Sequence, residues 1–575
     1  MTATHRDSHP HPSRHHDVLV VGGGAAGLSG ALVLARARRS VLVVDAGRPR
    51  NTPAEGIHGL LGLEGLPPAG LIARGRAEVA SYGGEFHDAE VHGITREPDG
   101  AFRAELSDGS TVHARRVLLA TGTTDLLPEL PGLAERWGRG VLHCPYCHGW
   151  EVRDRRIAVL ATDPALAVHQ ALLWRQWSSD VTLLAHTAGP FTEQQQRELT
   201  ARGITVHTGE VAAVLPEAGS GATDTPLTGV RLADGTVIDC DALGIATAAT
   251  VRAPFLAGLG LAPTALVRAG VKLGEYLPTS GPTGATEAPG VWAAGNLVDP
   301  MAQVAVAGAD GLRAAIAINA DLVAEETRLA VEAVEFWENR YGESEQIWSG
   351  RPNASLTREV ADLAPGHALD LGCGEGGDAI WLAQQGWQVT AVDISQVALD
   401  RAAARAAVEG VADRISWQRT DLANAFPTGR YDLVSAQFLH SPAEFPRERV
   451  LRHAADAVAP GGTLLIVSHA VAPVRFNDPQ NHQHEHAQGQ GHGHGHGQDH
   501  EHQHEQGNGH GNGHDHHHMN FPTPAEVLDS LHLAADAWTV ERAEEHPRHD
   551  HPGHPVTDPD ARPHRDSTVR VRRNS

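Results

Sequence analysis

Residues 17–47 read DVLVVGGGAAGLSGALVLARARRSVLVVDAG: a β-branched strand, a glycine-rich turn, an alanine-rich helix and a second strand. Gly22, Gly24 and Gly27 fit the spacing G-x-G-x-x-G. The first glycine permits a tight turn, the second lets the backbone approach a pyrophosphate, and the third lets the helix pack on the strand. Asp45 ends the second strand, where a carboxylate accepts hydrogen bonds from ribose hydroxyls. A glycine turn in a non-binding α/β fold is the alternative, but this order of elements predicts a dinucleotide-binding domain.

Length, composition and charge limit the classes of protein to consider. The chain has 575 residues, which at about 150 residues per domain predicts several domains. Its net charge of −24 argues against sequence-independent nucleic-acid binding, which needs a basic surface, and against anionic membranes. Residues 18–35 are uncharged, but their five glycines indicate strand, turn and helix rather than a membrane span. Residues 1–16 show no secretory signal and four cysteines make no disulfide scaffold, so we expect a cytoplasmic protein.

Two further stretches carry a family resemblance: VLLATGTTDLLPELPG at 117–132 and GVWAAGNLVDPMAQVAVAGADGLRAAIAI at 290–318. With the first glycine turn, they resemble in type and order the flavin motifs of thioredoxin reductase-type flavoproteins, which have two dinucleotide-binding domains. The resemblance implies FAD as a cofactor, and we also expect a homodimer. Beside the FAD it places Thr121, Gly122, Asn296 (usually an Asp in the family), Gln303, Val304 and Ala305, the last three along the isoalloxazine.

The stretch HCPYCHGWE at 143–151 places Cys144 and Cys147 in a C-x-x-C motif, which in an intracellular protein indicates redox chemistry or a metal. Zinc needs further ligands, and His143 and His148 keep that alternative open. The resemblance favours redox chemistry, because thioredoxin reductases carry their active dithiol at this point. His148 stands where they have an acid/base Asp, and an imidazole suits proton transfer near neutral pH. A solvated loop histidine is the alternative.

A second nucleotide motif is missing from IAVLATDPALAVHQALLWRQWSSDVTLLAHTAG, residues 157–189. No glycine occurs from Ile157 to His186, and Asp163 falls at the turn where its charge would repel a pyrophosphate. His186 stands alone where the resemblance leads us to expect an arginine cluster for the 2′-phosphate of NADPH. The pattern predicts that the fold is retained and the NADPH site lost.

This departure, with the C-P-Y-C-H-G-W-E motif, resembles the dithiol oxidases of gliotoxin and holomycin biosynthesis. The resemblance implies that electrons pass from a small-molecule dithiol through the cysteine pair to FAD and on to O₂. Two alternatives stay open. The first is an NADPH-dependent, thioredoxin reductase-like disulfide reductase, and the second is a His-rich sensor or metal-binding protein with a redox-inactive flavin domain.

A second enzyme is indicated by HALDLGCGEGGDAIWLAQQGWQVTAVDIS at 367–395, again strand, glycine loop, helix and strand. Its D-x-G-x-G-x-G loop resembles that of class I methyltransferases, which use S-adenosylmethionine (SAM). By this resemblance the cofactor is bound by Asp370, Gly372, Gly374 and Gly376 in the loop, by Asp393 at the ribose and by Asp421 at the adenine. Cys240 and Cys373 are expected to be structural.

The segment FWENRYGESEQIWSGRPN at 336–353 resembles the N-terminal segment of thiopurine- and tellurite-resistance-type methyltransferases. The resemblance implies a cofactor lid containing Trp348, Arg351 and Asn353, with ordinary helix packing as the alternative. It also implies a soft acceptor atom such as sulfur, selenium or tellurium. We therefore expect small-molecule thiols or disulfides as partners of the two enzymes.

Residues 482–518 contain fourteen histidines, and imidazoles bind divalent Zn, Ni and Cu. A divalent metal is thus an expected partner, and a tolerated low-complexity insertion is the alternative. The fold class we predict is α/β, a two-dinucleotide-domain flavoprotein fused to a class I methyltransferase with a disordered His-rich insertion. The predicted organisation is a disordered tail (1–16), a discontinuous FAD domain (17–124 and 245–325), a degenerate pyridine-nucleotide-type domain (125–244), a methyltransferase (326–475 and 519–575) and the His-rich insertion (476–518).

Overall fold

A computed structural model describes residues 15–216, 226–268, 270–441, 445–470, 521–547 and 565–575. The chain divides into two compact units, Met1–Val323 and Ala324–Ser575. The His-rich insertion predicted at 476–518 lies outside the described residues. The first strand already begins at His15, so the predicted tail 1–16 was wrong at its last two residues.

The first unit contains nineteen strands within its described residues. They are β1 (His15–Val21), β2 (Val41–Asp45), β3 (Glu85–Asp88), β4 (Val91–Arg96), β5 (Phe102–Leu106), β6 (Thr111–Leu119), β7 (Thr123–Leu126), β8 (Val141–Leu142), β9 (Ile157–Leu160), β10 (Val181–Leu184), β11 (Thr205–His207), β12 (Val211–Pro216), β13 (Leu227–Leu232), β14 (Val237–Asp239), β15 (Ala242–Ile245), β16 (Ala248–Val251), β17 (Thr264–Arg268), β18 (Val271–Tyr276) and β19 (Val291–Ala293).

Its helices connect and cover these strands. The α-helices are α1 (Ala25–Arg36), α2 (Pro68–Ser81), α3 (Pro145–His148), α4 (Pro164–Trp174), α5 (Glu193–Ala201) and α6 (Val304–Gly342), the last of which contains the division between the units. Short 3₁₀ turns occur at Ala134–Arg136, Pro254–Leu259, Gly281–Thr283 and Gly295–Leu297.

Two sheets of the first unit have the form expected of nucleotide-binding folds. The first has the order β3-β2-β1-β6-β5-β4, with β19 also paired to β6, and the second has the order β11-β10-β9-β15-β8. Strands β1, β2 and β6 are parallel, as are β9, β10 and β15. The central strands are continuous apolar runs because helices and loops cover both faces of a parallel sheet. Smaller sheets, β12-β13-β14 and β17-β18-β16-β7, complete the unit.

The second unit contains one mixed sheet with the order β22-β21-β20-β23-β24-β26-β25. Strand β26 runs antiparallel to both of its neighbours, β24 and β25, whereas the other neighbouring pairs are parallel. Strands β25 and β26, which follow residue 520, complete the sheet. Its strands are β20 (His367–Leu371), β21 (Gln388–Asp393), β22 (Ile415–Arg419), β23 (Tyr431–Gln437), β24 (Val458–His469), β25 (Trp538–Pro547) and β26 (Arg565–Arg573). Its further helices are α7 (Ala354–Val360), α8 (Gly377–Gln384), α9 (Gln396–Val408), α10 (Arg447–Asp456), α11 (Pro524–Leu531) and a 3₁₀ turn, Ala412–Arg414.

Both units place their glycine turns at the carboxyl ends of parallel strands, where ligands bind in open α/β sheets. The uncharged stretch 18–35 is divided between β1 and α1, as its glycines predict. Within the described residues, no helix has the length and apolar character needed to cross a membrane.

Candidate active sites

One cavity in the first unit, with a volume of about 490 Å³, contains most of the predicted flavin residues together with the dithiol. The predicted residues that line it are Gly22, Gly24, Asp45, Thr121, Gly122, Asn296, Gln303, Val304, Cys144, Cys147 and His148. Gly27 and Ala305 are not among the lining residues. A Cβ on Gly27 would lie 1.8 Å from the Gly22 carbonyl oxygen, so this glycine serves packing of α1 on β1. Ala305 is exposed in the first turn of α6.

The first glycine turn fits the diphosphate of FAD. A Cβ on Gly22 would lie 2.4 Å from the Ala120 carbonyl oxygen, whereas nothing lies within 4 Å of a Cβ on Gly24. Gly24 is the N-cap residue that precedes α1, and no side chain caps the N–H groups of the first turn. The end of this helix therefore presents unoccupied N–H donors and a positive dipole to an anion. The hydroxyl oxygens of Thr121 and Thr123 are buried without partners on the cavity wall, which also fits a polar ligand.

Asp45 and Asn296 hold the loops of this cavity. The Asp45 carboxylate accepts a hydrogen bond from the Gly23 N–H at 3.0 Å. The Asn296 amide nitrogen donates to the carbonyl oxygens of Asp299, Pro300 and Ala302 at 3.1, 3.3 and 2.9 Å. The replacement of the usual Asp by Asn supplies an N–H donor that shapes the loop before α6.

The dithiol lies at the start of the short helix α3. The Sγ atoms of Cys144 and Cys147 are 2.7 Å apart, and both are free thiols. Cys144 precedes Pro145 and lies near the N–H groups of Tyr146 and Cys147. This arrangement places one sulfur at the amino end of the helix, where a thiolate is stabilised.

The two thiols differ in their readiness to ionise. The pKa of Cys144 is lowered to about 7, mainly by a hydrogen bond from the Cys147 thiol, with smaller contributions from the N–H groups of α3 and from Gln303. The pKa of Cys147 is raised, because its proton is held by Cys144 and because it is buried. Together with the position of Cys144 at the amino end of α3, these shifts favour Cys144 as the thiolate of the reduced pair.

His148 directly follows Cys147 and lines the same cavity as the dithiol. Burial lowers its pKa, although the Cys144 carbonyl favours the protonated ring. Neither ring nitrogen makes a hydrogen bond of good geometry. A neutral imidazole with a free nitrogen at the cavity wall is able to take a proton from a bound thiol.

A polar network behind the dithiol was missed at the sequence level. His143 Nδ1 lies 3.2 Å from the Thr247 hydroxyl, which donates to Asp125 at 3.1 Å. Arg50 donates two hydrogen bonds to the same carboxylate, at 2.8 and 2.5 Å. Burial opposes ionisation of Asp125, but Arg50 lowers its pKa, whereas burial lowers the pKa of His143. Asp125 is part of the quoted 117–132 motif, but no local spacing connects it with Arg50 or Thr247.

The second nucleotide-type turn is closed by its own side chain. Asp163 caps α4 and accepts hydrogen bonds from the N–H groups of Ala165 and Leu166 at 2.9 and 3.0 Å. Pro164 supplies no N–H at all. At the end of β10, His186 Nδ1 accepts from the Val211 N–H at 3.0 Å, and burial lowers its pKa. The donors that would bind a pyrophosphate are thus occupied, and His186 is held as a neutral acceptor.

In the second unit, the glycine loop follows β20 directly. Gly372, Gly374 and Gly376 have φ values of +70°, +52° and +76°, a left-handed region that favours glycine. Asp393 closes β21, and its carboxylate accepts from the N–H groups of Gly374 at 2.8 Å and Ser395 at 3.0 Å. The loop is therefore held against the end of the second strand, as the SAM-binding fold requires.

Buried carboxyl groups surround this loop. Burial, with Asp378 and Asp393 nearby, raises the pKa of Asp370, and one of its carboxyl oxygens has no partner. Burial also raises the pKa of Asp378 to about 6. Such an unsatisfied buried oxygen fits a loop that receives a ligand with donor groups. Asp421 lies after β22, where its carboxylate accepts from the Ala423 N–H and the Asn424 amide, and its predicted contact with adenine stays a prediction.

The predicted lid segment is attached to the glycine loop. Glu375 accepts hydrogen bonds from the N–H groups of Ile347 at 3.2 Å and Trp348 at 3.0 Å. The Trp348 indole donates to the Tyr341 hydroxyl at 3.1 Å, and a Cβ on Gly374 would lie 2.9 Å from that hydroxyl.

The other two predicted lid residues also contact this region. The Asn353 N–H donates to Asp378 at 2.6 Å, and a Cβ on Gly377 would lie 2.8 Å from the Arg351 carbonyl oxygen. Residues 341–353 thus contact the glycine loop, and their role as a cofactor lid stays a prediction.

The remaining two cysteines, Cys240 and Cys373, are packing residues. Cys240 packs in the core of the second nucleotide-type fold, and Cys373 packs beside the methyltransferase core. Among the side chains that the structure describes, no group of three or more His, Cys, Asp or Glu is arranged to hold a metal ion. The homodimer and the metal of the His-rich tract stay predictions.

Comparison with known proteins assigns the two units to two different families. The family model described as pyridine nucleotide-disulphide oxidoreductase matches residues 16–311, and the one described as methyltransferase domain matches residues 368–462. Thioredoxin reductase sirT of Leptosphaeria maculans is 30% identical over 53% of this chain and 93% of its own length. Thioredoxin reductase tcpT of Claviceps purpurea is 39% identical over 27% of this chain, and the match spans 50% of that relative. The crystal structure of HlmI is 42% identical with a TM-score of 0.51, covering 56% of this chain and 96% of that one.

Proposed function

Since the chain belongs to the pyridine nucleotide-disulphide oxidoreductase family and carries a methyltransferase domain, we propose that it combines two thiol-modifying activities. The first unit oxidises a small-molecule dithiol with O₂ as acceptor. The second unit transfers a methyl group from SAM to a thiol or another soft nucleophile.

The dithiol cavity supports the oxidase proposal. FAD, which the turn at Gly22–Gly24 and Thr121 would hold in this cavity, would supply the two-electron acceptor for the cysteine pair and the donor to O₂. A substrate thiolate attacks the Cys144–Cys147 disulfide, and the second substrate thiolate then displaces the enzyme sulfur, which leaves a substrate disulfide and an enzyme dithiol. The two electrons and two protons of the substrate end in hydrogen peroxide. Because its pKa is lowered, Cys144 leaves the substrate as a thiolate of the enzyme dithiol. The neutral ring of His148 accepts a proton from a substrate thiol.

The observation that carries the direction of the reaction is the Asp163 cap. This carboxylate occupies the N–H donors of α4 and adds a negative charge where a pyridine nucleotide would place its pyrophosphate. The expected electron source is therefore the dithiol substrate and not NADPH.

An anaerobic titration of the flavin absorbance tests this direction. We expect a small dithiol to bleach the flavin, NADPH to leave it oxidised, and air to restore the colour with release of peroxide. The Cys144→Ser variant should bind FAD but lose bleaching by dithiol. Fast bleaching by NADPH would instead make the protein a thioredoxin reductase-like disulfide reductase, and an unchanged Cys144→Ser variant would indicate a redox-inactive flavin domain.

The fusion supports a shared substrate for the two units. Disulfide formation and S-methylation are two ways to mask one reactive thiol, so both serve the biosynthesis or detoxification of a sulfur compound. Supplying one dithiol with O₂ and SAM should yield both the disulfide and the S-methyl product. Strictly unrelated substrates at the two sites would contradict this proposal.

A further inference from the structure

A second histidine lies in the dithiol cavity, on the loop that connects β2 with α2. His58 lines the same cavity as His148 and the two cysteines. Its loop is close to the dithiol, since a Cβ on Gly59 would lie 3.8 Å from Gln303 Oε1. The Gln303 side chain in turn makes a hydrogen bond with the Cys144 sulfur. The proposed reaction uses His148 as a proton acceptor, but a dithiol has two protons to lose.

Glu64 orients the ring of His58. Its carboxylate lies 2.6 Å from His58 Nδ1 and also accepts a hydrogen bond from the Gly59 N–H at 3.0 Å. The hydrogen bond with His58 lowers the pKa of Glu64, and an ionised carboxylate can only accept hydrogen bonds. The proton of a neutral His58 ring therefore lies on Nδ1, and the lone pair of Nε2 is left to accept a proton.

The backbone of the loop brings this pair together. The Ile57 N–H donates to the Leu66 carbonyl oxygen at 2.9 Å, and the Gly65 N–H donates to the Ile57 carbonyl oxygen at 2.9 Å. Gly65 has a φ of +73°, which glycine adopts without strain. Since Ile57 is buried, the loop is anchored at the point where His58 and Glu64 face each other.

A second carboxylate faces the other ring nitrogen. His58 Nε2 lies 3.5 Å from Glu151 Oε1, and the charge of Glu151 stabilises a proton on that nitrogen. Burial lowers the pKa of His148, whereas Glu151 raises it and a charge on His58 lowers it, so the two rings are near enough to interact. The side chains of Glu64 and Glu151 are 64% and 41% exposed, so protons collected here have a route to water.

We propose that His58 is a second proton acceptor in the oxidation of the dithiol, oriented by Glu64 and stabilised as an imidazolium by Glu151. The inference rests on the proposed dithiol oxidation and assigns a base to the second substrate thiol. An imidazole suits this task because it exists in both protonation states near neutral pH.

The two histidines then serve successive steps of the exchange. His148 takes the proton of the thiol whose sulfur attacks the Cys144–Cys147 disulfide. His58 takes the proton of the second thiol, whose sulfur displaces the enzyme sulfur and closes the substrate disulfide. The cysteine pair gains the two electrons of the substrate. The two protons pass to water and are taken up again when O₂ is reduced to hydrogen peroxide.

Anaerobic reduction of the flavin by dithiothreitol tests this role in the full-length, FAD-loaded protein. His58→Gln keeps a hydrogen-bond donor for Glu64 but removes the proton acceptor. We expect the variant to bleach about 100-fold more slowly than the wild type at pH 7, the usual scale of lost general-base catalysis. The loss should shrink as the pH rises towards roughly 10, because a growing fraction of the probe thiols is then ionised without a base.

Two further variants are controls for a structural effect. His87 Nε2 lies 2.7 Å from Asp108, so His87→Gln alters a comparable histidine–carboxylate pair outside the residues that line the described cavity, and the rate should be unchanged. Glu64→Gln keeps the ring of His58 but removes the charge that orients it. This variant should lose less than His58→Gln and should recover in the same way at high pH.

A double variant separates proton transfer by His58 from an effect exerted through His148. Both thiol exchanges precede electron transfer to the flavin, so each proton transfer contributes to the rate of bleaching. In the His148→Gln background, His58→Gln should slow bleaching further, by at least about 10-fold. No further loss would show that His58 only positions or charges His148, and would overturn the inference.

Three other results would contradict the inference in distinct ways. Equal rates for His58→Gln and the wild type at pH 7 would overturn it directly. A loss that persists at pH 10, or that is accompanied by loss of FAD, would show a structural role of the loop instead. A wild-type protein whose flavin no dithiol bleaches would overturn the proposed oxidase itself.

Discussion

The two nucleotide-type folds of the first unit share one architecture but differ in chemistry at a single turn. At the first turn, the N-cap residue of α1 is Gly24, which provides no side-chain cap, and the start of the helix lines the cavity. At the second turn, the N-cap residue of α4 is Asp163, whose carboxylate occupies the equivalent N–H groups. The buried parallel strands persist in both. We infer that packing of the buried strands maintains the fold in both cases. The N-cap residue before the helix then decides whether the turn can bind the diphosphate of a nucleotide.

Giving the first turn the capping residue of the second should have the largest effect, a loss of FAD affinity. Gly24→Asp places a carboxylate in open space at the start of α1, where it caps the helix as Asp163 caps α4. Repulsion between two charges 4 Å apart near a protein surface is worth about 4 kcal/mol, so we expect FAD affinity to fall at least about 100-fold. Titration of the flavin-free protein with FAD measures the loss. Gly24→Ala should keep most of its flavin, and full flavin content in Gly24→Asp would contradict the comparison.

The reactivity of Cys144 should be independent of the first turn. Because the thiolate is the reactive form and the Cys144 pKa is about 7, alkylation of the reduced protein should rise about tenfold per pH unit below pH 7 and level off above it. Mass spectrometry of iodoacetamide-treated protein measures this profile. We expect the same profile in flavin-free Gly24→Asp, since Cys147 and the N–H groups of α3 are the main causes of the lowered pKa.

A matched variant tests that cause. Cys147→Ala removes the side-chain donor that contributes most to the lowered pKa of Cys144, so the alkylation profile of Cys144 should move to higher pH. A wild-type profile centred at the ordinary cysteine pKa, above 8, would refute the assignment of the thiolate to Cys144.

Opening the second turn should have the smallest effect. Asp163→Ala removes a helix cap, which should lower the free energy of unfolding by about 1 kcal/mol, as measured by denaturant titration. Asp163→Asn should lose less, because Asn is also a good cap. NADPH should still fail to bleach the flavin, since His186 supplies no positive charge. Bleaching by NADPH in Asp163→Ala would show that this carboxylate alone blocked a complete site.

Local sequence patterns predicted the regular parts of the molecule well. The strand–turn–helix stretches at 17–47 and 367–395 form as expected, because apolar periodicity and turn glycines act within a few residues. The absence of glycine from the second turn, together with the acid Asp163 at that turn, was equally informative. The start of β1 at His15 was missed, since two polar histidines give no strand pattern and are held by pairing with β6.

Contacts between distant segments escaped the sequence analysis. Arg50, Asp125 and Thr247 are brought together behind the dithiol from three parts of the chain. No local spacing in the sequence indicates that these three residues meet.

The sequence by itself determined the two folds, their order, the dithiol and the closed second nucleotide turn. These depend on interactions among residues close in the chain, whose free energies are set by residue type and spacing. The tertiary structure alone decided how the ionisation of the two thiols differs, how burial lowers the pKa of His148 and which distant residues meet behind the dithiol. Ionisation depends on burial and on neighbours in space, and only the packed chain defines both.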